Sequence, residues 1–187
     1  MVDKEVIERA MVEIIKAVGE DPSREGLRDT PRRIAEMYLE LFSGIDTDPV
    51  EELTVGFEEG HREMVILKDI PFSSMCEHHF LPFFGVAHVG YIPNGRVVGV
   101  SKIARVVEIY AKRPQLQERL TTSIAETISS ALQPQGVATV IRAEHLCMTM
   151  RGIKKPGTTI MTSAMRGRFQ ESEVTRSEFL SLIHNQG

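Results

Sequence analysis

Val86-Ala87-His88-Val89-Gly90-Tyr91-Ile92 runs through Pro93-Asn94-Gly95 into Arg96-Val97-Val98-Gly99-Val100. Two runs rich in valine, isoleucine and aromatic residues flank an Asn-Gly pair, the strongest short-range signal for a β-hairpin. Upstream, Met64 to Ile70 reads as an earlier strand. Downstream, Ser101 is placed to cap a helix reaching about Lys112, which Arg113-Pro114 interrupts. A second helix carries Leu116, Leu120, Ile124, Ile128 and Leu132 at helical spacing. Pro134-Gln135-Gly136 then turns into a strand from Val137 to about Met150, and Gly157 to Arg168 reads as a final strand. Thr175 with Glu178 forms a capping box for a short C-terminal helix. Two strands, two helices and two strands predict an α+β fold with a largely antiparallel sheet.

The N-terminal third has a different texture. Val6, Ile7, Ala10, Met11, Ile14, Ile15 and Val18 recur at helical spacing, with Gly19 as a stop. Residues 19–29 are polar and read as a loop. Thr30-Pro31 starts a second helix bearing Ile34, Met37, Tyr38 and Leu41, which ends near Gly44. Residues 45–62 are acidic, weakly patterned and read as a connection. The chain therefore divides into an N-terminal helical segment, 1–62, and a main domain, 63–187, with no internal repeat.

Composition narrows the function. The chain has 187 residues, 42% of them hydrophobic, enough to bury its own core. A net charge of −4 argues against a nucleic-acid-coating protein. No apolar run approaches the roughly 20 residues that span a bilayer. The N-terminus opens straight into an amphipathic pattern without a signal-peptide profile, and two cysteines make no disulfide framework. These features predict a cytoplasmic protein with no nucleic-acid or membrane partner.

The chemistry is concentrated around those two cysteines. Cys76-Glu77-His78-His79 places a thiol and an imidazole three apart, as one tight turn would gather them. His145-Leu146-Cys147 places two such groups two apart, so on a strand they would share one face. Cys76, His79 and Cys147 supply soft and borderline donors suited to zinc and leave a fourth position for water, the pattern of a catalytic site. A disulfide, two unrelated buried thiols, or a fourth histidine closing a structural site are the competing readings. His78 and His145, left free beside the ion, are suited to proton transfer, and Glu77 to orienting one of them. Lys102 and Arg105 share a face at the N-terminal end of their helix, which suits an anion such as phosphate and equally a plain solvated charged surface. His88, inside a strand, reads as a packed histidine, and His61 and His184 as surface residues.

Cys-Glu-His-His-Phe at 76–80, Ser-Lys-Ile-Ala-Arg at 101–105, Arg-Pro-Gln-Leu-Gln-Glu-Arg-Leu at 113–120 and Glu-His-Leu-Cys-Met at 144–148 together resemble GTP cyclohydrolase I. So does Thr-Pro-Arg-Arg-Ile-Ala-Glu-Met-Tyr near the N-terminus, and the resemblance runs from about Ile7 to Phe179. It implies the tunnelling fold, an antiparallel sheet with two helices packed on one face, preceded here by the helical segment. It also implies one zinc per subunit on Cys76, His79 and Cys147. His78 and His145 match the proton-transferring histidines, and Ser101, also counted as catalytic, lies near the ribose and phosphates. Glu118, helped by Gln117, matches the clamp on the guanine edge. Lys102, Arg105 and Arg151 match triphosphate ligands, and Arg33 a cation reaching in from a neighbouring subunit. Where some relatives carry a second lysine one turn after Arg33, this chain has Glu36. The implied assembly is a homodecamer of two pentamers. The implied reaction converts GTP and water to formate and 7,8-dihydroneopterin triphosphate, the entry to tetrahydrofolate and other pterins.

Overall fold

The computed structural model describes residues 2–184. The N-terminal segment forms α1 (Lys4–Ala17) and α2 (Thr30–Leu41), followed by a 3-10 turn at Pro49–Leu53. Then come β1 (Gly56–His61), β2 (Val65–Cys76), β3 (Pro82–Ile92) and β4 (Gly95–Val98). Next are α3 (Val100–Ala111), β5 (Pro114–Gln115) and α4 (Gln117–Leu132). The chain ends in β6 (Gly136–His145), α5 (Leu146–Thr149), β7 (Thr159–Gly167), α6 (Arg168–Glu171) and α7 (Glu173–His184). Among the described residues no helix is long and apolar enough to cross a membrane.

The main sheet has the order β5-β2-β3-β6-β7 and is antiparallel except where β5 joins β2. Strand alternation puts Phe83, Ala87, Val89 and Tyr91 of β3, with Val137, Ile141 and Ala143 of β6, on one face. That face is covered by Ile103, Val106 and Val107 of α3 and by Leu120, Ile124 and Ile128 of α4. The expected sheet with two helices on one side is present. The opposite face also has a cover at one end, where Ile92, Ala138 and Val140 meet Phe169, Phe179 and Ile183 of α6 and α7. Gly90 permits that approach, since a Cβ there would come within 2.7 Å of the Phe179 ring.

Several local expectations are corrected. Asn94-Gly95 does turn the chain, with Gly95 at φ 96°, but β4 pairs with β1 rather than with β3. Both edges of β3 are already taken by β2 and β6, so no ladder is open to β4. Residues 56–61 are therefore a strand, laced to the main domain, and not merely a connection. Ser101 is not an N-cap; Gly99 holds that position and the Ser101 hydroxyl sits inside α3, while α2 does start at Thr30, after Asp29 as its N-cap. α2 ends at Leu41, ahead of Gly44. At the last helix the Thr175 N–H donates to Ser172 Oγ at 3.2 Å, so the cap lies three residues before the predicted Thr175. β6 stops at His145, and Cys147 stands on the helical turn α5 rather than on the strand.

Candidate metal centre and active site

A β-bulge sets the direction of Cys76. Leu67 pairs with Val89 and Ile70 with Ala87, so β2 carries one extra residue, and Asp69 adopts φ 57°. An extra residue reverses which face later side chains occupy. Val65 and Leu67 before the bulge, and Phe72 and Cys76 after it, all meet the helix-covered core. His88 holds the bulge through Nδ1, which accepts the Asp69 N–H at 3.1 Å, so the packed histidine expected from sequence has a structural role.

Beyond Cys76 the chain makes one tight turn. The Phe80 N–H donates to the Cys76 carbonyl at 2.8 Å, and Phe80 takes the left-handed conformation at φ 49°. That turn returns His79 to Cys76. Cys147 reaches the same place from α5. The donor atoms of Cys76, His79 and Cys147 all lie within 4.8 Å of one another, and both cysteines are free thiols. Among the described residues no fourth histidine, cysteine or carboxylate joins the group. Two thiols and an imidazole at this separation fit a soft divalent cation. Burial, followed by the adjacent Cys76 sulfur, pushes the Cys147 thiol up from its ordinary value. A cation at this point would relieve both effects.

His145, the last residue of β6, continues the face of Val137, Ile141 and Ala143. Its ring stacks on Phe83 with centroids 4.5 Å apart and planes at 8°. His145 Nε2 lies 2.8 Å from Gln117 Oε1. Burial lowers its pKa from the ordinary value, with the Glu118 charge acting against that shift. Glu118 is exposed in the first turn of α4, while Gln117 beside it is fully buried. The Gln117 carboxamide, expected from the resemblance to help at the guanine edge, is bonded to β6, β7 and His145.

Glu77 also has a different partner from the histidine expected. Arg119 donates to both its oxygens, the longer contact being 3.1 Å, and these bonds hold the carboxyl below the usual range. His78 is exposed and lies edge-on to His79. Arg151 Nη1 donates to His79 Nε2 at 2.7 Å, which places this predicted phosphate ligand beside the metal group.

Ser101, Lys102 and Arg105 lie elsewhere. Ala111, at the far end of α3, accepts a hydrogen bond from Ser74, two residues before Cys76. At 1.5 Å per residue, Lys102 is about 14 Å along the helix from that contact. The cleft beside Arg105 is lined by Glu40, Phe72, Ser73, Glu108 and Lys112, with none of the metal group. Lys102 and Arg105 share Glu52, at 2.9 and 3.4 Å, and the Lys102 bond leads in holding that carboxyl below its usual range. Arg33 on α2 bonds Thr30 and the Gly26 carbonyl, and Glu36 is taken by Arg32 and Lys4.

Sequence reasoning missed Phe83, Arg119 and Glu52. Phe83 was legible in principle as an inward position of β3. The other two meet partners 42 or more residues away, for which no local signal exists.

The family model of GTP cyclohydrolase I matches residues 7–184. Relatives named GTP cyclohydrolase 1 match the whole chain. One from Dehalococcoides mccartyi is 64% identical over all of both chains. One from Carboxydothermus hydrogenoformans is 61% identical, covering this chain fully and 97% of its own. One from Streptococcus suis is 53% identical over all of both.

Proposed function

The chain belongs to the GTP cyclohydrolase I family, and from that premise we propose that it converts GTP and water into formate and 7,8-dihydroneopterin triphosphate with one zinc per subunit. The observation that carries this reading is the three-donor group of Cys76, His79 and Cys147 beside a buried histidine. A divalent zinc held by these three residues supplies Lewis acidity that activates water at neutral pH.

The chain's own residues do the rest. Glu118 accepts from guanine N1–H and the exocyclic amine, a pair adenine does not present, so binding selects the base. His145 and His78 move protons as water adds at C8, the five-membered ring opens and C8 leaves as formate. The same groups serve the sugar rearrangement and reclosure that build the pterin ring. Because His145 is enclosed by Phe83 and Gln117, its proton exchange is directed at bound substrate rather than at bulk solvent.

Ser101, Lys102 and Arg105 take the ribose and triphosphate, with Arg151 and with Arg33 from a neighbour. Their distance from the metal group along α3 supports a site completed by another copy of the chain, in a homo-oligomer that we take to be a decamer of two pentamers. Residues 1–62 then serve as the appendage carrying Arg33, and 63–187 as the catalytic domain. The protein is proposed to act in the cytoplasm, at the entry to tetrahydrofolate synthesis. Purified protein incubated with GTP should release formate and a pterin that fluoresces after oxidation. Fully metallated protein that forms neither would overturn the proposal.

A further inference from the structure

Gln117 is 1% exposed and sits at the first position of α4. Its two Nε2 hydrogens serve three acceptors, one hydrogen being shared: the carbonyls of Ile141 at 3.2 Å and Ile160 at 3.1 Å, and Thr162 Oγ1 at 3.0 Å. Two backbone carbonyls accept and never donate, so the amine end of the carboxamide must face β6 and β7. Oε1 therefore faces His145.

The neighbouring hydroxyls agree with this direction. Thr121 Oγ1 donates to the Gln117 carbonyl at 2.7 Å, so it accepts from Thr162 Oγ1 at 2.6 Å. Thr162, having given its proton away, is left to accept from Gln117 Nε2. Every bond in the circuit points one way. A carboxamide oxygen accepts only, so His145 Nε2 carries a proton, and in the neutral ring Nδ1 bears the lone pair. Stacking on Phe83 keeps the ring in that plane.

We propose that Gln117 is a positioning residue for His145: its buried carboxamide locks the imidazole as the Nε2–H tautomer and makes Nδ1 the atom that exchanges protons with substrate. The role in turnover rests on the GTP reading above; the tautomer does not. In each cycle Nδ1 takes up one proton and returns it, while the Nε2–H bond to Gln117 is kept. Gln117 thus acts on the rate of proton transfer and leaves recognition of the base to Glu118.

The test has two arms. In protein labelled with 15N-histidine, the ring nitrogens of His145, assigned by their loss in His145→Ala, should show a protonated Nε2 and a bare Nδ1. A neutral ring protonated at Nδ1 would overturn the proposal. In the second arm, Gln117→Met should keep its metal and its KM for GTP while kcat falls about 10²-fold, the scale of one acid–base group. If that variant does not fold, Thr162→Val should lower kcat by about tenfold at unchanged KM, and Thr162→Ser should restore it. A raised KM with normal kcat would make Gln117 a reader of guanine, and unchanged constants would make it a mere tie between α4 and the sheet; either result contradicts the proposal. Wild-type protein that makes no formate breaks the GTP reading instead and leaves the ring nitrogens to decide the positioning claim.

Discussion

The two ends of the proposed site are built in opposite ways. At the metal end, β2, its closing turn, β6 and α5 bring Cys76, His79 and Cys147 together within one chain, and His145 is held by stacking on Phe83 and by a hydrogen bond with Gln117. At the cation end, Ser101 and Arg105 are exposed, and Lys102 and Arg105 are held by Glu52 rather than arranged around an empty cradle. Chemistry that tolerates little misplacement is preorganised inside the fold. Charge attraction, which acts over longer range, is left to surfaces that a second chain can complete.

The largest effect should come from attacking the preorganised end. Cys147→Ser should lose both the metal and at least ~10³-fold in kcat/KM, since catalytic zinc needs its three protein ligands. Metal analysis with a formate assay checks this, and retained zinc with full turnover would dissolve the contrast. Next in size, His145→Ala should keep the metal and lose ~10²- to 10⁴-fold in kcat, the range of a general acid–base group. Near-normal formate release would remove His145 from that role.

The cation end predicts a different kind of result. Chains carrying Cys147→Ser, mixed and reassembled with chains carrying Lys102→Ala and Arg105→Ala, should recover activity that neither parent has. Random assembly leaves roughly a quarter of two-chain sites intact, so about that share of wild-type activity is expected. No recovery would place both ends in one chain. The smallest effect concerns Glu52. Its folded pKa is depressed by Lys102 and then Arg105, so its contribution to stability is complete above the unfolded carboxylate value and lost as pH falls through the folded one. Unfolding midpoints measured below about pH 4 should depend on pH less steeply in Glu52→Gln than in the wild type. Equal slopes would show that the pair adds nothing.

What the sequence disclosed follows the same division. Cys76 and His79 were legible as a pair because one local turn gathers them. The strand–strand–helix–helix–strand–strand order was legible because alternation and helical spacing are local. The partner of β4 was not, since it depends on competition for the edges of β3. β1 escaped notice because Gly56-Phe57-Glu58-Glu59-Gly60-His61 lacks alternation and is mostly exposed. His145 and Cys147 were expected on one strand face, but the strand ends between them and a helical turn delivers the thiol instead. The resemblance offered Gln117 only as a helper at the guanine edge; its bonds to Ile141, Ile160 and Thr162 cross 24 to 45 residues of chain and left no local signal.

Removing and restoring the metal tests the central claim most directly. Protein stripped by a chelator and titrated with zinc should regain formate release from GTP in proportion to bound metal, levelling at one ion per chain. Full turnover by metal-free protein, or an ion bound with no gain in activity, would contradict a catalytic centre on Cys76, His79 and Cys147.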